Sequence, residues 1–278
     1  MNNPVLLVSC DDQPGLIHRI TGVLLKAGAN IVSNQEFVDA HTGQFFMRTE
    51  FENASELQGL GDIIASVLPA GADMRVQQPT RRRIVIMVSK EHHCLADILI
   101  RYTYGELAAN VVAVVGNHGT LQSLAERFNV PFFLAPTADR LQAAHEADLL
   151  GILSPLAPDL LVLAKYMRVL SPSFVARWPA RIINIHHSFL PAFAGAKAYH
   201  QAFQRGVKVI GATAHFVTDE LDSGPIIVQQ VIPVDHSHTP EALIQAGRDV
   251  EQMVLSRALR LVLEDRVFLC GNRTIIFD

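Results

Sequence analysis

The chain has 278 residues, 49% of them hydrophobic and 18% charged, the profile of a globular protein with ample material for a core. Its 23 basic and 27 acidic residues leave a formal net charge of −4, which argues against a non-specific nucleic-acid binder with a broad basic face. Cys10, Cys94 and Cys270 are too few and too scattered for a disulfide framework, so a reducing compartment, the cytoplasm, is expected.

No basic n-region precedes the first apolar run, and no signal peptide is expected. The most apolar stretch, 149–167, contains Pro155, Pro158, Asp159 and Lys165, which argues against a membrane span. Residues 4–9 predict a short strand. Leu16, Ile20, Val23, Leu24 and Ala27 fall at helical spacing, so a helix is expected over 16–27, stopped by Gly28. Residues 31–39 and 44–50 read as a hairpin around His41-Thr42-Gly43, 57–68 as a second helix and 73–78 as a last strand. This β-α-β-β-α-β order is the ferredoxin-like arrangement, with two helices on one face of an antiparallel sheet. In the turn Asp11-Asp12-Gln13-Pro14-Gly15-Leu16, Asp can cap the helix, Pro can start it and Gly permits a tight bend. Together with Ala29-Asn30-Ile31, the turn and the element order resemble the ACT domain, a small regulatory module. The resemblance implies regulatory positions at Asp11, Asp12, Gly15 and Asn30. It also implies either an amino-acid effector or a dimerisation surface, and a homo-oligomer.

Gln77-Gln78-Pro79-Thr80-Arg81-Arg82-Arg83 is polar and basic between two apolar runs and reads as a linker. Domains over 1–80 and 81–278 are therefore expected. The second part alternates strand and helix, with buried strands expected over 83–89, 111–116, 131–135, 160–164 and 182–186. Such spacing implies right-handed crossovers and a mostly parallel sheet covered on both faces. Residues 208–218 and 225–234 read as an antiparallel pair, and 240–263 as a long helix. The expected class is α/β, a ferredoxin-like domain followed by a Rossmann-like one, with its site at the carboxyl ends of the strands.

Asn184-Ile185-His186-His187-Ser188-Phe189-Leu190-Pro191 begins at the end of a predicted buried strand. Alternation sends Asn184 and His186 to one side and His187 to the other. An amide and an imidazole on one side can polarise one carbonyl. The acidic loop Thr218-Asp219-Glu220-Leu221-Asp222 can deliver a carboxylate to the same cleft. Taken singly, an Asn-x-His serves a turn and a core contact as readily as chemistry, and Asp222 a loop cap. In order, and with the sequence GATAHFVTDELDSGPII over 211–227, they are similar to the folate-dependent formyltransferase family. The resemblance covers most of 83–278. It implies that Asn184, His186 and Asp222 are the catalytic trio. It also implies that the run LAKYMRVLS over 163–171 is a pterin-binding strand and turn, so that Arg168, Val169, Leu170, Thr218, Asp219, Glu220 and Leu221 bind substrate. His187 is expected to support the trio, and His215, on a strand facing the motif, to contact Asp222.

Among the 12 histidines, His92-His93 and His236-Ser237-His238 are the closest clusters. Neither has cysteine or carboxylate partners at a zinc-site spacing, so no metal and no other cofactor is expected. Cys94 reads as a buried or helix-starting thiol, and His92, His93 and His200 receive no role. Nucleotide-accepting members of the resembled family carry a glycine-rich turn after the first strand of this domain, where backbone amides approach a phosphate. The corresponding Ser89-Lys90-Glu91-His92-His93-Cys94-Leu95 has no glycine, and Glu91 repels phosphate. With the ACT-like module in front, this implies the hydrolytic branch of the family. Water then cleaves 10-formyltetrahydrofolate to tetrahydrofolate and formate, supplying purine biosynthesis and balancing one-carbon pools. A formyltransferase with an acceptor of another kind is the alternative. A non-catalytic amino-acid sensor is a third reading, against which the retained trio speaks.

Overall fold

The computed structural model of the chain describes residues 3–53, 59–137, 141–192 and 198–278. Its backbone divides into two units, one of residues 1–80 with 265–268 and 275–278, the other of 81–264 with 269–274. In the first unit the elements run β1 (Val5–Asp11), α1 (Leu16–Lys26), β2 (Asn30–Asp39), β3 (Gln44–Glu52), α2 (Leu60–Val67) and β4 (Asp73–Gln77). The sheet order is β2-β3-β1-β4 with antiparallel neighbours, as the ferredoxin-like reading requires. Leu16, Ile20 and Leu24 of α1 and Leu60 and Ile64 of α2 share one apolar cluster with Leu6, Val8 and Phe45 of the sheet. Residues 57 and 58 of the expected second helix lie outside the described residues.

The expected start of α1 needs correction. No side chain caps α1: Gly15 holds the cap position in a left-handed conformation, φ +85°. The reason is that β1 runs longer than its apolar run. Cys10 and Asp11 pair with Phe45 and Gln44, and the Asp11 carboxylate accepts from Gln44 Nε2, so it is engaged in the sheet. Pro14 consequently lies in the turn and not in the helix. Asn30 stands apart from the turn. It pairs with Glu52, at the far end of the hairpin from Asp39 and Gln44, because α1 carries the chain back along the sheet before β2 begins.

The second unit runs β5 (Arg82–Val88), α3 (His93–Thr103), β6 (Ala109–Gly116), α4 (Gln122–Arg127), β7 (Phe132–Leu134), α5 (Gln142–Leu156), β8 (Leu160–Leu163), α6 (Pro172–Val175), β9 (Ile182–His186), α7 (Ala198–Arg205), β10 (Val209–Phe216), β11 (Ile226–Pro233) and α8 (Pro240–Leu263). A C-terminal hairpin, β12 (Val267–Cys270) and β13 (Arg273–Ile276), turns at Gly271 and was not legible as strands in the sequence. The seven-stranded sheet has the order β11-β10-β9-β8-β5-β6-β7. Strands β5 to β9 pair in parallel, and β10 runs antiparallel to both β9 and β11. Every residue of β8 is buried, as expected for a strand covered on both faces. Strand order reverses between β5 and β8, where an open α/β sheet forms a crevice. Ser89, just after β5, stitches that point: its N–H donates to the Lys165 carbonyl at 3.2 Å, and its Oγ accepts from Met167 N at 2.9 Å. No helix is long and apolar enough to cross a membrane.

Helix α8 carries a buried charge, Glu251, that is 1% exposed. A carboxylate can only accept, so His93 Nε2 donates to Oε2 at 2.7 Å and the Tyr199 hydroxyl to Oε1 at 2.6 Å. The Lys165 ammonium lies 3.1 Å from Oε2. One turn earlier on α8, Gly247 makes room for the tyrosine: a Cβ there would meet the Tyr199 ring at 2.1 Å. Burial alone would raise the Glu251 carboxyl, but the His93 hydrogen bond, the Lys165 charge and the Tyr199 hydroxyl outweigh it and hold the group at about 2.

Because the folded carboxyl titrates below its ordinary value of 4.5, its contribution to stability is complete above that value and is lost as pH falls toward about 2. Glu251→Gln should cost about 3–5 kcal/mol at neutral pH, since it leaves Lys165 buried without its counter-charge. Urea melts of parent and variant should show the difference shrinking through that acidic window. A difference independent of pH would contradict the ion pair.

Candidate active site

Asn184 and His186 are the third and fifth residues of β9, so alternation turns both toward one cleft. Antiparallel pairing with β10 sets His215 opposite Asn184. His215 Nδ1 donates to the Phe216 carbonyl at 2.9 Å, which leaves Nε2 as the acceptor. That atom lies 3.2 Å from Asn184 Nδ2. One amide N–H of Asn184 is thereby used, the nitrogen end of the amide is assigned, and the second N–H remains for a ligand. Burial lowers the His215 pKa, in keeping with a neutral ring that accepts through Nε2.

Asp222 comes from the loop between β10 and β11. Its backbone is left-handed, φ +54°, a conformation that Asp tolerates better than most side chains. Gly224 lets the loop return against the end of β10, since a Cβ there would sit 1.9 Å from the Phe216 carbonyl oxygen. This geometry brings Asp222 Oδ1 to 3.2 Å from His186 Nδ1 and 3.9 Å from His215 Nε2. The His186 hydrogen bond, opposed in part by burial, holds the Asp222 carboxyl below its ordinary value. His186 Nε2 is buried and has no partner among the described residues.

His187 corrects the alternation argument. Strand β9 ends at His186, so the next side chain does not swing to the far face. Its ring stacks on His186 at 5.0 Å between centroids, tilts against Tyr199 at 6.0 Å, and lines the same cleft. Burial, then the Lys165 and His186 charges, lower its pKa to about 4 and keep it neutral. The following loop is tied down by Thr213, whose hydroxyl donates to Ser188 O at 2.8 Å and accepts from Leu190 N at 3.1 Å. Gln229 adds a bond to Leu190 O at 3.0 Å.

The cleft brings together every residue expected of the trio, its supports and the substrate wall: Arg168, Val169 and Leu170 from the turn after β8, and Thr218, Asp219, Glu220 and Leu221 from the β10–β11 loop. Met167, Val169 and Leu221 are 54%, 60% and 64% exposed, an apolar wall suited to a flat ring. His92 and His200 are exposed and do not line it. Lys165 fell inside the run read as a pterin-binding strand and turn but was not singled out there, yet its side chain lines the cleft. Its signal was a cation inside an apolar run.

The fold also gives His93 partners that linear spacing concealed. The donor atoms of His93, Cys94 and Glu251 lie within 4.8 Å of one another. The set is poorly suited to a cation. Lys165 already neutralises the same Glu251 oxygen, and burial pushes the Cys94 thiol well above its ordinary value, away from the thiolate a metal needs.

Known proteins agree with this organisation. A family model described as formyl transferase matches residues 82–259, and an ACT domain model matches residues 4–68. The formyltetrahydrofolate deformylase of Escherichia coli K12 is 55% identical over 276 residues, covering 99% of both chains. The crystal structure of a formyltetrahydrofolate deformylase from Pseudomonas syringae superposes with a TM-score of 0.96 at 39% identity, covering 100% of this chain and 95% of that one. Glycinamide ribonucleotide transformylase 1 from Symbiobacterium toebii matches 76% of this chain and 100% of its own, with a TM-score of 0.69 at 34% identity. The likeness that spans both units is thus to deformylases, and the chain belongs to the formyltetrahydrofolate deformylase family.

Proposed function

We propose that this protein hydrolyses 10-formyltetrahydrofolate to tetrahydrofolate and formate, with Asn184, His186 and Asp222 as its catalytic residues. The observation that carries the reading is the convergence of one carboxylate, one imidazole and one oriented amide in a single cleft, with Asp222 3.2 Å from His186. The pterin lies against Arg168, Val169 and Leu170 and the loop from Thr218 to Leu221. The free Asn184 N–H and the His186 ring donate to the formyl oxygen as water attacks and negative charge grows there. One such donor is worth about 3 kcal/mol in the transition state. His186 Nδ1 faces the Asp222 carboxylate, which orients the ring. Asp222 orients the water, receives its proton and returns one to the departing folate nitrogen. The chain's own residues supply each step, so the reading requires no metal or redox cofactor.

Water as acceptor is supported by the loop after β5. Glu91 is committed to Arg248 at 2.7 Å and His93 to Glu251, so the loop's side chains turn to the protein's own charges. The formate released supplies purine biosynthesis and balances the one-carbon pool. Asp222→Asn should lower formate release by about 10²–10⁴ while folate binding persists. The assay is formate release with water as the only acceptor, with glycinamide ribonucleotide added in parallel. Normal turnover in the variant would overturn the role of Asp222, and formylation of the ribonucleotide at a comparable rate would overturn the hydrolytic reading.

The ACT unit, in the same proposal, binds a small amino acid at the turn from Asp11 to Gly15 and joins copies of the chain into an oligomer. Gly15 has φ +85° and open space around the position of a Cβ, so a side chain there acts by straining the backbone. A responsive amino acid should change activity several-fold, the effect of a coupling of about 1–3 kcal/mol, and Gly15→Val should blunt it. An amino-acid panel that alters neither activity nor assembly of the full chain would contradict this role.

A further inference from the structure

We infer that Lys165 is a specificity-determining residue: its ammonium, fixed in the cleft wall by Glu251, bars amine acceptors and reserves the formyl carbon for water. The inference rests on the hydrolytic reading above and explains how the cleft enforces it.

Lysine ordinarily keeps its charged end in water. Lys165 is only 8% exposed, yet it lines the cleft beside His186 and His187. Its backbone is left-handed, φ +62°, where a glycine would sit without strain and a side chain is strained. Its own carbonyl and the N–H of Met167 are both held by Ser89, so the turn cannot relax easily. Such strain persists where the side chain itself is needed, and here the side chain places a cation in a cleft wall.

The partner of that cation is itself held in place. Glu251 is held by His93 and Tyr199 from two other helices, and the Tyr199 contact depends on Gly247. His93 opens α3, directly after the glycine-free loop that follows β5, so that loop sets the brace for Lys165. The charge is felt at the site: after burial, Lys165 is the largest influence keeping His187 neutral, and His187 stacks on His186. A fixed ammonium repels a protonated amine, and its rigid stem denies a neutral amine the volume it needs. Water, small and uncharged, meets neither barrier. This is discrimination by an element built against the wrong partner.

The competing reaction is balanced: the amine nitrogen attacks the formyl carbon, the bond to the folate nitrogen breaks, and a proton from the amine ends on that nitrogen. Hydroxylamine is the probe, with N-formylhydroxylamine and formate measured together from 10-formyltetrahydrofolate. In the full-length parent, formate should dominate. In Lys165→Gly, which also relieves the backbone strain, the ratio of formyl-amine to formate should rise roughly tenfold or more, the scale on which pocket volume discriminates substrates. The double variant Lys165→Gly/Glu251→Gln removes both charges, preserves charge balance in the interior, and should show the same shift if the single variant folds poorly. A parent that makes no formate contradicts the hydrolytic reading and this inference with it. A parent that makes formate, with folded variants whose product ratio matches it, contradicts this inference alone.

Discussion

The pairing of Asp222 with His186 is the contact on which the site depends. A carboxylate in a loop would ordinarily face water. Here it is drawn to 3.2 Å from an imidazole at the end of a buried strand. Three features of the fold make this happen: the left-handed backbone of Asp222, the close approach that Gly224 allows, and the antiparallel strand β10, which sets His215 against Asn184. Each acts through geometry, and each orients a hydrogen-bonding atom without help from bulk solvent. Donors fixed in advance lose less to reorganisation when charge develops, which is why such positioning matters more than the strength of any single bond.

A second charge centre stands beside the first. Glu251, His93, Tyr199 and Lys165 come from four different parts of the second unit and leave no oxygen of the buried carboxylate unpartnered. His187 joins the two centres, stacked on His186 and within the field of Lys165. In the reaction proposed above, the first cluster acts on the formyl group, and the second shapes the wall that decides what may attack it. The transformylase of Symbiobacterium toebii shares the fold of this unit, so a difference in acceptor can arise from a few wall residues with no change in architecture.

Most of this architecture was legible in the sequence because burial imposes a period. Helix α1 has its apolar residues at helical spacing, and α8 was read with the bounds it has, 240–263. The motif from Asn184 was legible because strand alternation selects Asn184 and His186 together. Alternation failed for His187, since a two-residue period holds only while the strand lasts, and β9 stops at His186. Capping at the start of α1 misled because Asp11 could serve either a turn or a strand, and pairing with Gln44 decided it. The pairing of Lys165 with Glu251 was invisible for a different reason. The two residues are 86 positions apart (251 − 165), and nothing local reveals that a lysine in an apolar run has a carboxylate waiting on a distant helix. Long-range ion pairs leave only an indirect trace, a charge where the pattern calls for an apolar residue.

The central claim is that the attacking nucleophile is water held by Asp222. It is tested most directly by running the reaction in heavy-oxygen water and examining the formate by mass spectrometry. Hydrolysis at the formyl carbon keeps the original carbonyl oxygen and adds one from solvent, so formate from a single turnover should carry one labelled oxygen. Formate without label, or loss of the formyl group with no formate formed, would contradict the account.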